Sequence, residues 1–415
     1  MRTHISERAL LLLIGGVQFV NVLDFMMVMP LGPDFARSLA IENAHLGYIG
    51  GAYTLAAGLA GLLGAALLDR FDRRKALLWA LVGLVLGTAS GGFAWDMPSL
   101  IAARILAGAF GGPAAAIALS IVSDVVPPER RGRALGVVMG AFAIASILGV
   151  PAGLELARLG GWPLPFFAVA GLGVVALIAA AWLLPPMIGH LRSGPHASLF
   201  PWIGFLRRPP MRLAILASAS HMMAGFTVIP NLSAYVQFNG GYPRERLGLL
   251  YLIAGLVSLI TMRVGGAAVD RRGATPVAWI GTWIFVAAVA ALGFALGLVP
   301  VPVLFVGFMT GMTVRAIANG TIATRIPLPQ ERAGYLSVQS AAQHFACAIG
   351  AFLSARMLSD GENGRLEGMP QVSILAMALA FILPIALANA ERSVRARERS
   401  EAEGMLEAES VAEAT

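Results

Sequence analysis

The stretch ALLLLIGGVQFVNVLDFMMVMPL, residues 9–31, decides the fold class of this chain. A helix needs about 20 mostly apolar residues to cross the hydrocarbon layer of a membrane, and this stretch is long enough. It is longer than the apolar core of a cleavable signal peptide and ends in no small-residue cleavage site. We therefore predict that it stays in the protein as a first membrane-spanning helix.

The rest of the chain repeats this apolar pattern. Of its 415 residues, 57% are hydrophobic and 13% are charged, whereas soluble domains carry about 25% charged residues. We predict an all-α integral membrane protein with twelve transmembrane helices in two pseudo-symmetric six-helix bundles. The predicted spans are residues 9–31, 46–68, 76–95, 98–125, 132–156, 163–184, 210–238, 246–268, 275–297, 301–325, 333–358 and 369–389.

Proline and glycine breakers interrupt the chain between the sixth and the seventh span. We predict an N-terminal bundle over residues 1–184, a cytoplasmic linker over 185–208 and a C-terminal bundle over 209–389. Residues 390–415 alternate Arg, Glu, Ser and Ala. They contain too few apolar residues for a core, so we expect a flexible cytoplasmic tail.

The basic residues predict the orientation, because cytoplasmic loops are enriched in Lys and Arg. With the N-terminus inside, the inner segments hold 21 Arg and Lys and the outer loops hold 6. We therefore expect a bacterial inner-membrane protein with both termini in the cytoplasm. The net charge of +7 comes from these short loops and does not indicate a nucleic-acid partner. Neither a metal-ligand spacing nor a nucleophile–base pairing accompanies the single cysteine, so we predict no cofactor and no enzymatic activity.

The two halves of the sequence resemble each other at a shift of about 200 residues. At this shift Gln18 aligns with Ser218 and Asn21 with His221. Three longer matches occur in the same order: Met26–Pro30 with Phe226–Pro230, Asp69-Arg70 with Asp270-Arg271, and Glu129-Arg130-Arg131-Gly132 with Glu331-Arg332-Ala333-Gly334. Parallel repeats of this kind are related by an axis along the membrane normal, which places a shared site near the midplane.

Several motifs carry a resemblance to a known family. The loop after the second span reads AALLDRFDRRK over residues 65–75, and its second-half copy reads GAAVDRRG over residues 266–273. The fourth span has glycines at four-residue spacing after Arg104, and the fifth contains GVPAG over residues 149–153. These residues resemble the motifs of the major facilitator superfamily, and the likeness covers the chain through the twelfth span. Within that family the chain is most similar to bacterial drug and sugar efflux proteins of the proton-antiport branch.

The resemblance implies a cytoplasmic gate and a sealed cavity. In the gate, Asp69 lies at a helix N-terminus of the opposite half and Arg73 pairs with Asp124. Ordinary loop charge is the alternative for the gate set, which is Asp69, Arg70, Arg73, Asp124, Asp270 and Arg271. Close packing of small residues in the fourth and fifth spans would seal the cavity against protons, and ordinary helix packing is the alternative. These packing residues are Gly108, Gly112, Gly149, Pro151 and Gly153. Asp72 stands where the motif has glycine.

Asp24 is the strongest candidate for a functional residue. An Asp at the centre of a transmembrane helix costs roughly 2.5 to 3.5 kcal/mol. A cavity-facing carboxylate at this depth would bind a proton or a substrate cation in turn, a role that the resemblance also implies. The alternative is a structural hydrogen bond to Asn21 or to a neighbouring helix. Arg104 lies at a depth from which it can reach Asp24, although it could also extend to the outer interface.

The remaining polar residues within spans are candidates for a substrate cavity. Arg315 is too deep to reach the interface and would bind an anionic group of the substrate or pair with Asp24. Hydrogen-bonded packing is the alternative for the two histidines. The predicted cavity residues are Gln18, Asn21, Met27, His221, Phe226, Arg315, Asn319, Gln339, Gln343 and His344.

These features predict an alternating-access transporter. We expect proton-coupled antiport that exports small organic or drug-like solutes, because soft apolar side chains share the predicted cavity with polar ones. The alternatives are a symporter or uniporter that imports a small nutrient or sugar, and a non-transporting membrane sensor. The expected partners are a small-molecule substrate, protons and the lipid bilayer, with a functional monomer.

Overall fold

The computed structural model describes residues 6–67, 71–188, 201–327 and 331–413. Its first half contains α1 (Glu7–Met27), α2 (Gly32–Ser38), α3 (Leu46–Leu67), α4 (Arg73–Gly92), α5 (Met97–Val125), α6 (Pro128–Ile144), α7 (Val150–Gly160) and α8 (Pro163–Leu183). Its second half contains α9 (Pro201–Arg207), α10 (Pro209–Phe226), α11 (Ile229–Phe238), α12 (Leu247–Arg272), α13 (Ala274–Phe294), α14 (Val301–Arg325), α15 (Arg332–Met357) and α16 (Met369–Glu413). A short antiparallel hairpin of β1 (Ser359–Asp360) and β2 (Leu366–Glu367) joins the last two helices.

The structure confirms the predicted helical membrane fold. Within the described ranges, eleven helical segments are long and apolar enough to cross a membrane. The remaining predicted span, residues 333–358, is α15, a helix of 26 residues. Its polar residues, among them Gln339, Gln343 and His344, lower its hydropathy, and it completes the second set of six.

Proline breaks two predicted spans at equivalent points of the repeat. The chain leaves the helix after Met27, and α2 starts at Gly32; in the second half it leaves after Phe226, and α11 starts at Ile229. Pro30 and Pro230 lie at these breaks, where a ring without an N–H group cannot continue the hydrogen-bond ladder. The predicted span 210–238 is therefore two helices, α10 and α11, whereas the predicted span 9–31 ends as a helix at Met27 and α2 follows it.

Two further segments differ from the predicted helices. The fifth span contains a π-helical turn at Ala145–Gly149, directly before α7. The last helix does not end at residue 389 but continues to Glu413. The Glu, Arg and Ala residues of this extension are good helix formers, which explains the continuation without an apolar face.

Each half packs its helices by close approach of small residues. In the first half α1 packs against α5, α6 and α8, and in the second half α10 packs against α14, α15 and α16. A Cβ atom at Gly112 would lie 2.5 Å from the carbonyl oxygen of Ala57, and Gly108 similarly faces the backbone of Tyr53 on α3. A larger residue at either glycine would push α5 away from α3.

The fifth span uses its small residues in two directions. Gly149 faces Leu23 of α1 at 2.6 Å, and Gly153 faces Met27 at 3.8 Å, both measured from the Cβ atom that glycine lacks. The carbonyl of Pro151 lies 3.7 Å from the equivalent point on Gly248 of α12. The predicted packing residues of this span thus join α1 within the first half and α12 in the second.

The two halves touch along two helix pairs. We call the end of the molecule that holds Glu7 and Arg73 the near face, and the end that holds Asp34 and Arg244 the far face. Helix α3 packs on α15, and the π-helical turn with α7 packs on α12. Along α3 these contacts run from Gly47 at the far face to Gly58, which meets His344 of α15 at 3.2 Å.

Candidate functional site

The centre of the first half is a buried ion pair. Arg104 donates from Nη2 to Oδ2 of Asp24 at 2.6 Å and from Nη1 to Oδ1 at 3.0 Å. Side-chain exposure is 0% for Asp24 and 1% for Arg104. Two parallel charge-assisted hydrogen bonds of this kind are about twice as strong as neutral ones. The structure therefore brings together the two residues that the sequence placed at one depth.

Thr88 of α4 completes this pair. Its hydroxyl donates to Oδ1 of Asp24 at 2.8 Å and also lies 2.8 Å from the backbone carbonyl of Leu84. Both carboxylate oxygens of Asp24 are thus occupied. The sequence analysis missed Thr88, since a threonine in an apolar helix carries no signal of its neighbours.

Asn21 does not bind Asp24, so of the structural alternatives for Asp24 the bond to Asn21 is wrong, whereas bonds to neighbouring helices are present. Its side-chain amide donates to the carbonyl of Gly111 at 3.0 Å and accepts from the Tyr53 hydroxyl at 3.2 Å. The ring of Tyr53 also lies 4.8 Å from the Arg104 guanidinium, a cation–π distance. Tyr53, which the sequence analysis did not select, therefore links Asn21 to the ion pair.

An aromatic stack leads from the ion pair to the second half. Phe25 follows Asp24 in the chain and stacks on Tyr53 with ring centroids 5.3 Å apart. Its ring also stacks on Phe226 of α10 at 5.8 Å. Phe226 packs in turn with Met29 and Cys347, so the predicted cavity residue Phe226 lies where the halves meet.

A second polar cluster lies within the second half. The Ser218 hydroxyl donates to the Asn319 side-chain oxygen at 2.9 Å, and Gln339 donates to Ser218. Helices α10, α14 and α15 supply one residue each. The structure thus unites two predicted cavity residues, Asn319 and Gln339, through a serine that the sequence selected only as the repeat partner of Gln18.

Four predicted cavity residues lie elsewhere. Gln18 is buried on α1 and its side-chain oxygen has no hydrogen-bond partner among the described residues. Gln343 and His344 are half-buried on α15. Met27 is buried in the apolar core beside Gly153.

Arg315 does not pair with Asp24, whose two oxygens are already bound. Its guanidinium lies 4.6 Å from the Phe285 ring of α13, and its Nη2 donates to the Ala380 carbonyl of α16 at 3.3 Å. It therefore points into the interior of the second half. His221 on α10 is buried and, like Arg315 on α14, lies one helical turn from the bond between Ser218 and Asn319.

The predicted gate residues lie at the near face. Arg73 and Asp124 form an ion pair of 2.9 Å within the first half. Asp69 and Arg70 lie outside the described residues.

Asp72 caps α4 through the N–H of Arg74 at 3.0 Å and also accepts from Met187 at 2.8 Å, which explains an acidic residue here. Asp270 and Arg271 line a near-face cavity of about 580 Å³ together with Val269, Arg272, Gly273, Thr321, Arg325 and Glu391.

The far face is closed by contacts between the halves that the sequence analysis missed. Arg244 donates from Nε to Oδ1 of Asp34 at 2.8 Å and from Nη2 to Oδ2 at 2.5 Å. The Asp360 carboxylate accepts from the backbone N–H groups of Asn43 and Ala44, each at 2.8 Å. We call these five residues the far-face clasp.

Two sets of membrane-spanning helices meet along two helix pairs, and the Asp24–Arg104 pair is buried beside their contact, an arrangement typical of membrane transporters. Residues 14–355 match the model of the Major Facilitator Superfamily. The chain belongs to this family, which confirms the resemblance seen in its motifs. It is accordingly a multi-pass membrane transporter and not an enzyme.

Similar sequences include characterised and uncharacterised transporters. The Chloramphenicol resistance protein of Streptomyces lividans is 27% identical over 378 residues, which cover 90% of this chain and 95% of that protein. The inner membrane transport protein YdhP of Escherichia coli K12 is 29% identical over 245 residues, which cover 58% of this chain and 62% of that protein.

Solved structures share the fold. A bacterial homologue of the human lysosomal transporter Spinster, in an inward-facing and occupied conformation, superposes with a TM-score of 0.72 at 16% identity, covering 92% of this chain and 96% of that one. A D-xylose-proton symporter superposes with a TM-score of 0.72 at 17% identity, with coverage of 92% and 96%. At these identities the likeness is one of fold alone.

Proposed function

We propose that the protein is a proton-coupled antiporter that exports small organic or drug-like solutes. The observation that carries this proposal is the Asp24–Arg104 pair, a carboxylate of 0% exposure held at 2.6 Å by a guanidinium inside the membrane-spanning bundle. A charged residue at this depth is costly and is typical of ion and proton pathways.

Protonation of Asp24 would change the forces at the contact of the halves. A neutral carboxyl group loses its Coulomb attraction to Arg104 and gives up one acceptor site. Because Phe25 follows Asp24 and stacks on Phe226 of the second half at 5.8 Å, a shift of α1 is transmitted to that contact. Proton uptake on one side and release on the other would in this way alternate with movement of the halves.

The membrane potential can drive such an exchange. One elementary charge crossing 100 mV yields about 2.3 kcal/mol. A tenfold concentration ratio requires about 1.4 kcal/mol, so one proton per solute sustains roughly a 50-fold solute gradient. A pH difference across the membrane adds to this value.

The class of solute is supported by the residues at the contact and by one relative. Phe25, Phe226 and Met29 present aromatic and thioether groups, which adapt to varied apolar ligands. The Chloramphenicol resistance protein of Streptomyces lividans matches 90% of the chain. Both observations favour export of a drug-like compound.

Transport by proteoliposomes tests the proposal. Purified protein is reconstituted, a pH gradient is imposed, and movement of chloramphenicol and of a panel of cationic and neutral dyes is followed. We expect solute to move against the proton flux, and Asp24→Asn to reduce this movement to the rate of empty vesicles. Asp96→Asn is the matched control, because Asp96 is a half-buried helix cap in the same half with no contact to Arg104, and it should leave the rate unchanged.

Two outcomes would contradict the proposal. If Asp24→Asn exchanges solute for protons at the wild-type rate, Asp24 has no part in coupling. If solute and protons move in the same direction, the protein is a symporter and the direction proposed here is wrong. Correct insertion of each variant is checked by its elution as a single species in detergent.

We also propose that the near face lies in the cytoplasm of a bacterium, that both ends of the chain are there, and that the monomer is the functional unit. The excess of Arg and Lys in the predicted inner segments, 21 against 6, supports this orientation. A C-terminal green fluorescent protein fusion should fluoresce and a C-terminal alkaline phosphatase fusion should be inactive. The reverse pattern would invert the orientation.

A further inference from the structure

Arg315 is a buried cation without a counter-charge. Its side chain is 0% exposed, and its Nε and Nη1 atoms have no hydrogen-bond partner among the described residues. Its contacts there are one carbonyl at 3.3 Å, that of Ala380, and the face of the Phe285 ring at 4.6 Å. Neither of these contacts neutralises a guanidinium, which keeps its charge under all physiological conditions.

The sequence around Arg315 supplies no acid. Residues 274–330, which include α13 and α14, contain neither Asp nor Glu, and α10 contains none. In α16, which supplies the Ala380 carbonyl, the first acidic residue is Glu391, eleven residues further along the helix. Within the described part of the chain, no acidic side chain therefore balances Arg315.

Two more buried polar groups near Arg315 lack partners. Ser218 of α10 bonds to Asn319 of α14 at 2.9 Å, and His221 and Arg315 each lie one helical turn from this bond. His221 is 1% exposed, and its Nδ1 atom has no partner in the described part of the chain. Thr282 of α13 has an unpartnered hydroxyl there and is 0% exposed. It follows Gly281, whose missing Cβ would lie 3.0 Å from the Arg315 backbone nitrogen. Three neighbouring helices thus each contribute one unsatisfied group.

We propose that Arg315, His221 and Thr282 form a buried site for a small monoanion. Arg315 offers N–H groups in a planar fork that suits an anionic oxygen or a halide, the hydroxyl offers an O–H donor, and the imidazole offers an N–H donor. Binding satisfies these groups and brings the net charge of the site to zero. The ligand is either a free ion such as chloride or a carboxylate group on the transported solute; in the second case the inference rests on the proposed function.

Binding is measured on the purified full-length protein in detergent, without transport. Thermal unfolding is followed while chloride replaces gluconate at constant ionic strength, and separately with benzoate against its neutral analogue benzamide. We expect chloride or benzoate, but not benzamide, to raise the unfolding midpoint. Arg315→Gln should abolish this rise or weaken the apparent Kd at least tenfold, whereas Arg246→Gln should retain it, because it removes an exposed cation from the same half.

A second variant guards against a folding defect in Arg315→Gln. His221→Asp places a carboxylate within reach of Arg315, so the protein should fold and lose its dependence on added anion. Stabilisation by chloride identifies a free ion, and stabilisation by benzoate alone identifies a group on the solute. If neither anion stabilises the wild type, or if Arg315→Gln and His221→Asp respond as the wild type does, the site does not exist. Because no solute is moved, failure here leaves the export proposal untouched.

Discussion

Arg104 and Arg315 occupy the fourth membrane-spanning helix of their respective halves and are both fully buried. Each guanidinium lies against an aromatic ring, at 4.8 Å from Tyr53 and at 4.6 Å from Phe285. Arg104 has a carboxylate at 2.6 Å, whereas the acceptor described for Arg315 is a carbonyl at 3.3 Å. The two halves therefore share an aromatic environment for a buried cation, but only the first half provides the anion. The internal repeat therefore preserves the aromatic packing around this arginine but not the acidic residue that neutralises it.

The largest expected effect tests the paired cation. Arg104→Leu leaves Asp24 buried without its counter-charge, and breaking a buried pair in this way costs about 3–5 kcal/mol. The double substitution Asp24→Leu with Arg104→Leu should recover most of that loss. Denaturant unfolding in detergent measures both. A single variant as stable as the wild type would show that the pair is not energetically coupled.

A smaller effect is expected where the halves are held together. Arg244→Gln removes charged hydrogen bonds to Asp34, each of which contributes about 1.5–3 kcal/mol. We expect the far face to open more often, by roughly tenfold for each 1.4 kcal/mol lost. Cys347, the only cysteine, is 5% exposed between Met29 and Phe226 and reports this opening. Its labelling by an impermeant maleimide from the far side should accelerate.

The control for that measurement lies in the same short 3-10 helix as Arg244, which comprises residues Arg244–Arg246. Arg246 is exposed and two residues from Arg244, so Arg246→Gln should leave the labelling rate of Cys347 unchanged. Equal rates in the two variants would show that the contact with Asp34 does not hold the halves closed.

The unpaired cation should respond in the opposite way to the paired one. In gluconate, Arg315→Leu removes a charge that no acidic residue balances, so stability should change by less than about 1 kcal/mol or rise. The assay used for Arg104→Leu measures it. A loss as large as that of Arg104→Leu would end the contrast between the two arginines.

The smallest effect concerns the half-buried carboxylate that caps the helix carrying Arg104. Asp96 caps α5, and its hydrogen bonds with Ser99 lower the pKa of its carboxyl group. Its contribution is therefore complete above the ordinary Asp pKa of about 3.9 and is lost as the pH falls through the lowered value. Asp96→Asn should remove this part of the acid sensitivity. An unchanged pH profile of the unfolding midpoint would assign that sensitivity to other groups.

Hydropathy and depth predicted much of this molecule. Apolar length located the spans, and position along two helices predicted that Arg104 could reach Asp24. The same reasoning left open which way each helix is rotated, so it did not identify Thr88 or Tyr53 as neighbours of the pair. The rotation of each helix depends on its packing against other helices. Hydrophobic periodicity specifies this rotation only weakly, because the lipid and the protein core are both apolar.

The far-face clasp could not be predicted for a different reason. Its partners are 210 and 317 residues apart in sequence, and each lies in a short element that connects two spans. Their contact follows only from the docking of the two halves. The direction in which Arg315 points could not be predicted either. Its depth in the membrane was compatible both with the contact between the two halves and with the interior of the second half.

The binding mode of Asp360 gives the clasp an unusual tolerance to sequence drift. Its carboxylate binds peptide N–H groups at residues 43 and 44 and not a basic side chain. Every amino acid except proline supplies that donor, so substitutions in the first half cannot easily delete the partner. Only the acidic residue at position 360 has to be kept for this contact, whereas the contact of Arg244 with Asp34 can be lost by mutation of either residue.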